Sequence, residues 1–202
     1  MRDEVLFWKY EWSAVVHAQQ EAARKDADRL ADSDFEGRDV DEIIAELCEK
    51  YSLEPPVLDP ENITVKQREI EIDVSHNRRR SWGDDPPHYI KGTAIDVRLP
   101  FTGDAGMFNI KPNTWTTSIP RGRVEGNSIV FSVSGTDLSP EKVKSKISGT
   151  VSEIQKWLDF QSDSARGFPE ALARVVKQAV EARQSKLVAD NDLVSNLGFR
   201  VE

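Results

Sequence analysis

The chain carries a single cysteine, Cys48, in 202 residues. No intramolecular disulfide can form, and no cysteine-based zinc site can be built. A reducing, cytoplasmic setting fits that usage. Histidines are also few, three in all, and no two lie at ligand spacing. Long apolar runs are missing too. Nothing approaches the roughly 18 consecutive apolar residues of a membrane span, and the N-terminus, MRDEVLFWKYEW, is too charged for a signal peptide. The common catalytic signatures are absent. There is no G-x-S-x-G elbow, and TGDAG at 102–106 lacks the G-x-x-x-x-G-K-[ST] spacing of a phosphate loop. No cofactor or metal is implied.

What is present is an ordinary balance for a folded protein, 38% apolar and 31% charged. The acid is unevenly placed. Residues 1–60 hold 7 Lys/Arg against 16 Asp/Glu, residues 61–135 hold 10 against 9, and residues 136–202 hold 10 of each. The first third therefore repels phosphate, whereas the middle can carry a basic patch.

Periodicity divides the chain into three parts: a helical segment at 1–58, an antiparallel β region at 59–136 and a helical region at 137–202, expected to form one compact α+β domain. Val5, Trp8, Trp12, Val15 and Val16 predict a first helix opening at Asp3. Asp39 and Glu42 have capping-box spacing for a second. ITVKQREIEIDV alternates in two phases, which predicts a bulge near Gln67. YIKGTAIDVRLPF alternates at Ile95, Val97, Leu99 and Phe101, so these two strands predict a hairpin with a long connection. A second hairpin is expected to turn at Gly126-Asn127. Ser139-Pro140-Glu141 is a helix start, followed by an apolar stripe at Val143, Ile147, Val151, Ile154, Trp157 and Leu158. The architecture expected is a small antiparallel sheet of two hairpins packed against N-terminal and C-terminal helices.

Three groups of residues are candidates for function. The loop SHNRRRSWGDDPPHY joins Arg78, Arg79, Arg80 and Trp82. With Arg121 and Arg123 of the second hairpin, these can grip phosphates and stack a base. The same loop holds Asp84, Asp85 and His88, types that bind metals but lack a metal motif's spacing. A solvated connection is the simpler reading of both. Third, Phe7, Trp8, Tyr10 and Trp12 put four aromatics in six residues. That is more than one helical face can bury, so part of the set is a candidate partner interface.

Residues 97–133 carry Pro100-Phe101, Gly103-Asp104, Phe108, Pro112, Thr114, and Pro120-Arg121 with Val124. On these features, and on two C-terminal helices closing in Leu197-Gly198-Phe199, the stretch 60–202 resembles the N-terminal half of a family of uncharacterised bacterial proteins. Members of that family continue into a restriction-endonuclease-like, PD-(D/E)XK domain. The acid-x-Lys strand of that domain has no counterpart here, because ELCEK at 46–50 lies in a predicted helix. The resemblance therefore implies a non-catalytic module, the sensor, oligomerisation or substrate-positioning part of a larger nuclease-like protein. It implies a homo-oligomer or a C-terminal nuclease domain as partner. Nucleic-acid binding by the middle segment is the rival reading, and no membrane is implied.

Overall fold

The computed structural model describes residues 4–73 and 89–197. Its elements run β1 (Glu4–Val5), α1 (Trp12–Asp28), α2 (Asp32–Phe35), α3 (Val40–Lys50), β2 (Val57–Leu58), β3 (Thr64–Asp73), β4 (Tyr89–Thr102), β5 (Arg121–Glu125), β6 (Ser128–Gly135), α4 (Pro140–Ala165) and α5 (Phe168–Asn196). The class is α+β, with an antiparallel sheet. The chain divides into two compact units, each assembled from two separate segments: Met1–Lys9 with Pro55–Gln161, and Tyr10–Glu54 with Ser162–Glu202. No helix among the described residues is long and apolar enough to cross a membrane.

The first unit is built on a six-stranded sheet ordered β1-β5-β6-β4-β2, with β3 also paired to β4. Its two hairpins are those expected from the alternation. β3 pairs with β4 from Thr64↔Arg98 to Asp73↔Tyr89, and β5 pairs with β6 from Arg123↔Val130 to Glu125↔Ser128. Gly126 takes φ +58, and Phe7 is the sole non-glycine with positive φ among the described residues. Only the first turn residue is therefore left-handed, the pattern of a type II′ hairpin turn. Pairing of β4 with β6 joins the hairpins.

Successive strand side chains alternate faces. Val97, Leu99, Phe101, Ile129 and Phe131 consequently point one way, where they meet Ile154, Trp157 and Leu158 of α4 in a single buried cluster. The start of α4 is as read from the sequence: Pro140 is its first residue, and Ser139 Oγ accepts from the Lys142 amide at 3.3 Å.

The second unit is helical. α1 and α3 pack against α5, burying Ala23, Ala27, Ile43 and Leu47 with Leu172, Val176 and Val180. Asp39 caps α3, its side chain accepting from the Asp41 amide. Asp26 on α1 accepts from Lys50 Nζ and the Tyr51 hydroxyl beyond α3. Those contacts hold the Asp26 carboxyl below the usual carboxylate range, the Lys50 hydrogen bond contributing most.

Two expectations fail here. The first helix opens at Trp12 rather than near Asp3, because the preceding residues are taken by the sheet. Glu4 and Val5 pair with β5, the Leu6 amide donates to Pro120 O at 3.0 Å, and the Phe7 amide donates to Phe108 O at 2.5 Å. Long-range pairing overrides a local helical pattern. The bulge near Gln67 is also absent, since the β3/β4 register runs without interruption. β3 is exposed along most of its length, with Val65 at 60%, so neither face needs a consistent apolar phase.

Candidate functional site

At Phe7 the backbone turns left-handed, φ 56, a conformation that is strained for a bulky residue. The turn sends Phe7 inward to full burial and leaves Trp8 at the surface, 42% exposed. Phe7 stacks on Trp157 at 5.6 Å with an interplanar angle of 22°, and meets Phe108 edge-on at 5.5 Å. Trp8 reaches the same Trp157 at 6.3 Å and crosses Trp115 edge-to-face at 5.5 Å. Trp115, 47% exposed, comes from the Pro- and Thr-rich stretch after Lys111. A row of rings thus runs from the core to the surface.

Lys111 completes the cluster. Its Nζ lies 4.3 Å from the Trp8 ring centroid and 4.8 Å from that of Trp115, within cation–π range of both. The segment is fastened from below. Trp157 Nε1 donates to Ser118 O at 3.0 Å, and the Ser118 hydroxyl donates to Glu153 on α4. The two exposed tryptophans are therefore held in place by the protein itself.

The sequence candidates are distributed unevenly over this frame. Arg78, Arg79, Arg80 and Trp82 lie outside the described residues, as do Asp84, Asp85 and His88. Of the four N-terminal aromatics, Phe7 and Trp12 are buried and thereby withdrawn from any partner surface. Trp8 and Tyr10, the latter 49% exposed, stay at the surface. Arg121 and Arg123 stand on β5. Arg121 is exposed, whereas Arg123 is half-buried and pairs with Glu125 at 3.2 Å. Lys111, central to the tryptophan pair, was not a candidate from sequence. A lysine between short turns has no periodic signal to mark it.

A second cluster escaped the sequence reading. Asp96 of β4 takes two hydrogen bonds from Arg68, Nε at 2.8 Å and Nη2 at 3.1 Å, and one from the Ser132 hydroxyl at 2.6 Å. The Arg68 contact, then the Ser132 contact, holds the Asp96 carboxyl below the ordinary range. A depressed carboxyl stabilises the fold above its unfolded pKa, and that contribution is lost as pH falls through the folded value. Asp96→Asn should cost on the order of 1 kcal/mol at neutral pH, as Arg68 is half exposed. It should also flatten the loss of stability on acidification below about pH 4. Melting temperature followed against pH tests this; an acid limb as steep in the variant as in the parent would refute the assignment.

Neither cluster contains a histidine or a cysteine. Cys48 is half-buried, and burial pushes its thiol up, the opposite of an activated nucleophile. Among the described residues no group of three or more His, Cys, Asp or Glu side chains is placed to hold a metal ion. No known family model matches the chain, and no curated protein or solved structure is significantly similar to it.

Proposed function

We propose that the chain is a non-catalytic interaction and regulatory module that self-associates through Trp8 and Trp115. The observation that carries this reading is the exposed tryptophan pair, clamped on Lys111 and braced by Trp157. Tryptophan is the residue most enriched at binding hot spots. A pair already fixed in position avoids much of the side-chain ordering that association otherwise costs. The second unit adds apolar surface of its own, as Val188, Leu193, Val194 and Leu197 of the α5 end are exposed. A second copy is the partner of choice because most soluble oligomers are homo-oligomers with closed symmetry. The resemblance of residues 60–202 to the front part of nuclease-like proteins supports the same class, an oligomerising or sensing module.

Sedimentation velocity across the micromolar range tests the reading. The parent chain should pass from monomer to dimer with rising concentration. Trp8→Ala and Trp115→Ala should each weaken the dimer by about 30-fold, the cost of losing one hot-spot side chain. A parent chain that sediments as monomer throughout, or a dimer indifferent to both substitutions, would sink it.

A further inference from the structure

We infer that the outer edge of β3 is a docking strand, to which an extended segment of a partner protein adds when its basic and aliphatic residues alternate. Among the described residues β3 pairs with β4 alone, from Thr64 to Asp73. Its other edge therefore presents the backbone N–H and C=O groups of every second residue, a template for one more strand. Edge strands are commonly kept short, bulged or broken by proline, which stops other chains from pairing with them. β3 has 10 residues, an unbroken register and no proline, where strands usually run to about five or six. Its charges are what guards it.

Those charges exclude one occupant and select another. Alternation puts Val65, Gln67, Glu69, Glu71 and Asp73 on one face, and Thr64, Lys66, Arg68, Ile70 and Ile72 on the other. A second copy added across a two-fold axis would run antiparallel and keep each face on its own side. The two registers of greatest overlap then set Arg68 against Arg68 or Glu69 against Glu69. Like charges directly opposed destabilise a strand pair, so the edge resists its own copy while staying open to a different strand. Lys91 is the one cation of β4 in register with the acidic face, and it pairs with Glu69 at 3.3 Å although Glu71 stands directly opposite. Carboxylates therefore outnumber cations on that face. On the other face Arg68 is held by Asp96, and Ile70 and Ile72 lie beside Ile90 as a half-buried aliphatic strip. A strand laid along this edge meets carboxylates on one side and isoleucines on the other. Lysine or arginine alternating with valine, leucine or isoleucine complements both, the backbone ladder giving affinity and the alternate side chains specificity. The edge involves neither Trp8 nor Trp115, and its use does not rest on self-association.

Fluorescence anisotropy of short labelled peptides titrated with the full chain tests the inference. A peptide of alternating lysine and valine should bind at one site, with a Kd on the order of 100 μM at low ionic strength. Its glutamate–valine counterpart should not bind. A lysine–proline peptide carries the same charge but cannot pair as a strand, and it too should fail. Glu69→Gln combined with Glu71→Gln should weaken the lysine–valine peptide about tenfold, the scale of two exposed ion pairs. Both positions are exposed, so the double variant should keep its far-UV circular dichroism and melting temperature. Equal binding of the lysine–proline peptide would reduce the effect to charge attraction and overturn the inference. So would no saturable binding of the lysine–valine peptide, or binding unchanged in the double variant. Displacement of that peptide as the chain dimerises would give the edge to a second copy, which likewise overturns it.

Discussion

Trp157→Ala should lower the stability of the sheet-bearing unit by about 3–5 kcal/mol, the range for deleting a large buried aromatic. Trp157 is fully buried in the cluster shared by the sheet and α4. Truncation would remove its stack with Phe7 and leave a cavity that closely packed neighbours cannot close. It would also strip the Ser118 carbonyl of its indole donor. The conservative Trp157→Phe separates these effects. It keeps most of the ring volume and loses the N–H, so it should cost only about 1–2 kcal/mol. Urea unfolding followed by far-UV circular dichroism measures both, as a shift of midpoint at unchanged slope. A loss below about 1 kcal/mol for the alanine variant would mean that the ring row does not anchor the unit. Because Trp8 rests against Trp157, the alanine variant should weaken self-association as well, without touching the exposed tryptophans themselves.

The parts of this fold that were legible in the sequence are those fixed by local chemistry. Gly126 can take the left-handed angle its turn requires, and Ser139-Pro140 supplies an acceptor and a preset φ for the start of α4. Strand β4 shows its buried face by simple alternation. The illegible parts depend on contacts distant in sequence. Val5, Trp8 and Trp12 satisfy helical spacing, yet Glu4 and Val5 are claimed by Arg121 and Gly122, more than a hundred residues away. No local pattern announces that Phe7 will adopt a left-handed backbone, since the compensation comes from Phe108 and Trp157. The candidate sites follow the same division. Trp8 stood out as one of a dense aromatic group, whereas Trp115 carried no such signal. Their convergence on Lys111 could not be read, because it depends on how the stretch between Phe108 and Ser118 is held against α4. Asp96, Arg68 and Ser132 meet only once three strands are in register.

Gln161→Glu is expected to make stability strongly pH-dependent, and its sign can be worked out from geometry. Gln161 continues the apolar stripe of α4 one turn beyond Trp157, a polar residue where the pattern calls for an apolar one. It is fully buried, and its Nε2 donates to the carbonyls of Met107 at 2.8 Å and Ile110 at 2.7 Å. Only a donor suits a position facing two carbonyl oxygens. A glutamate there meets those oxygens with a carboxylate, which burial and repulsion both disfavour, so its folded pKa must rise. Below the unfolded value of about 4.3, both states are protonated. The variant then loses only one of two hydrogen bonds, about 1 kcal/mol. As pH climbs above that value the unfolded state ionises first, and stability falls by up to about 1.4 kcal/mol per pH unit. Near neutral pH the total loss should reach about 3–5 kcal/mol, the cost of a buried charge without a partner. Gln161→Leu is the control: it removes both hydrogen bonds at every pH, although Met107 O keeps the Ile110 amide, costing about 2 kcal/mol with no pH dependence. Because Ile110 immediately precedes Lys111, both variants should also loosen the lysine between Trp8 and Trp115. Denaturant midpoints from pH 4 to 8 decide the matter, and a glutamate variant with a flat profile would show that the two carbonyls do not require a donor.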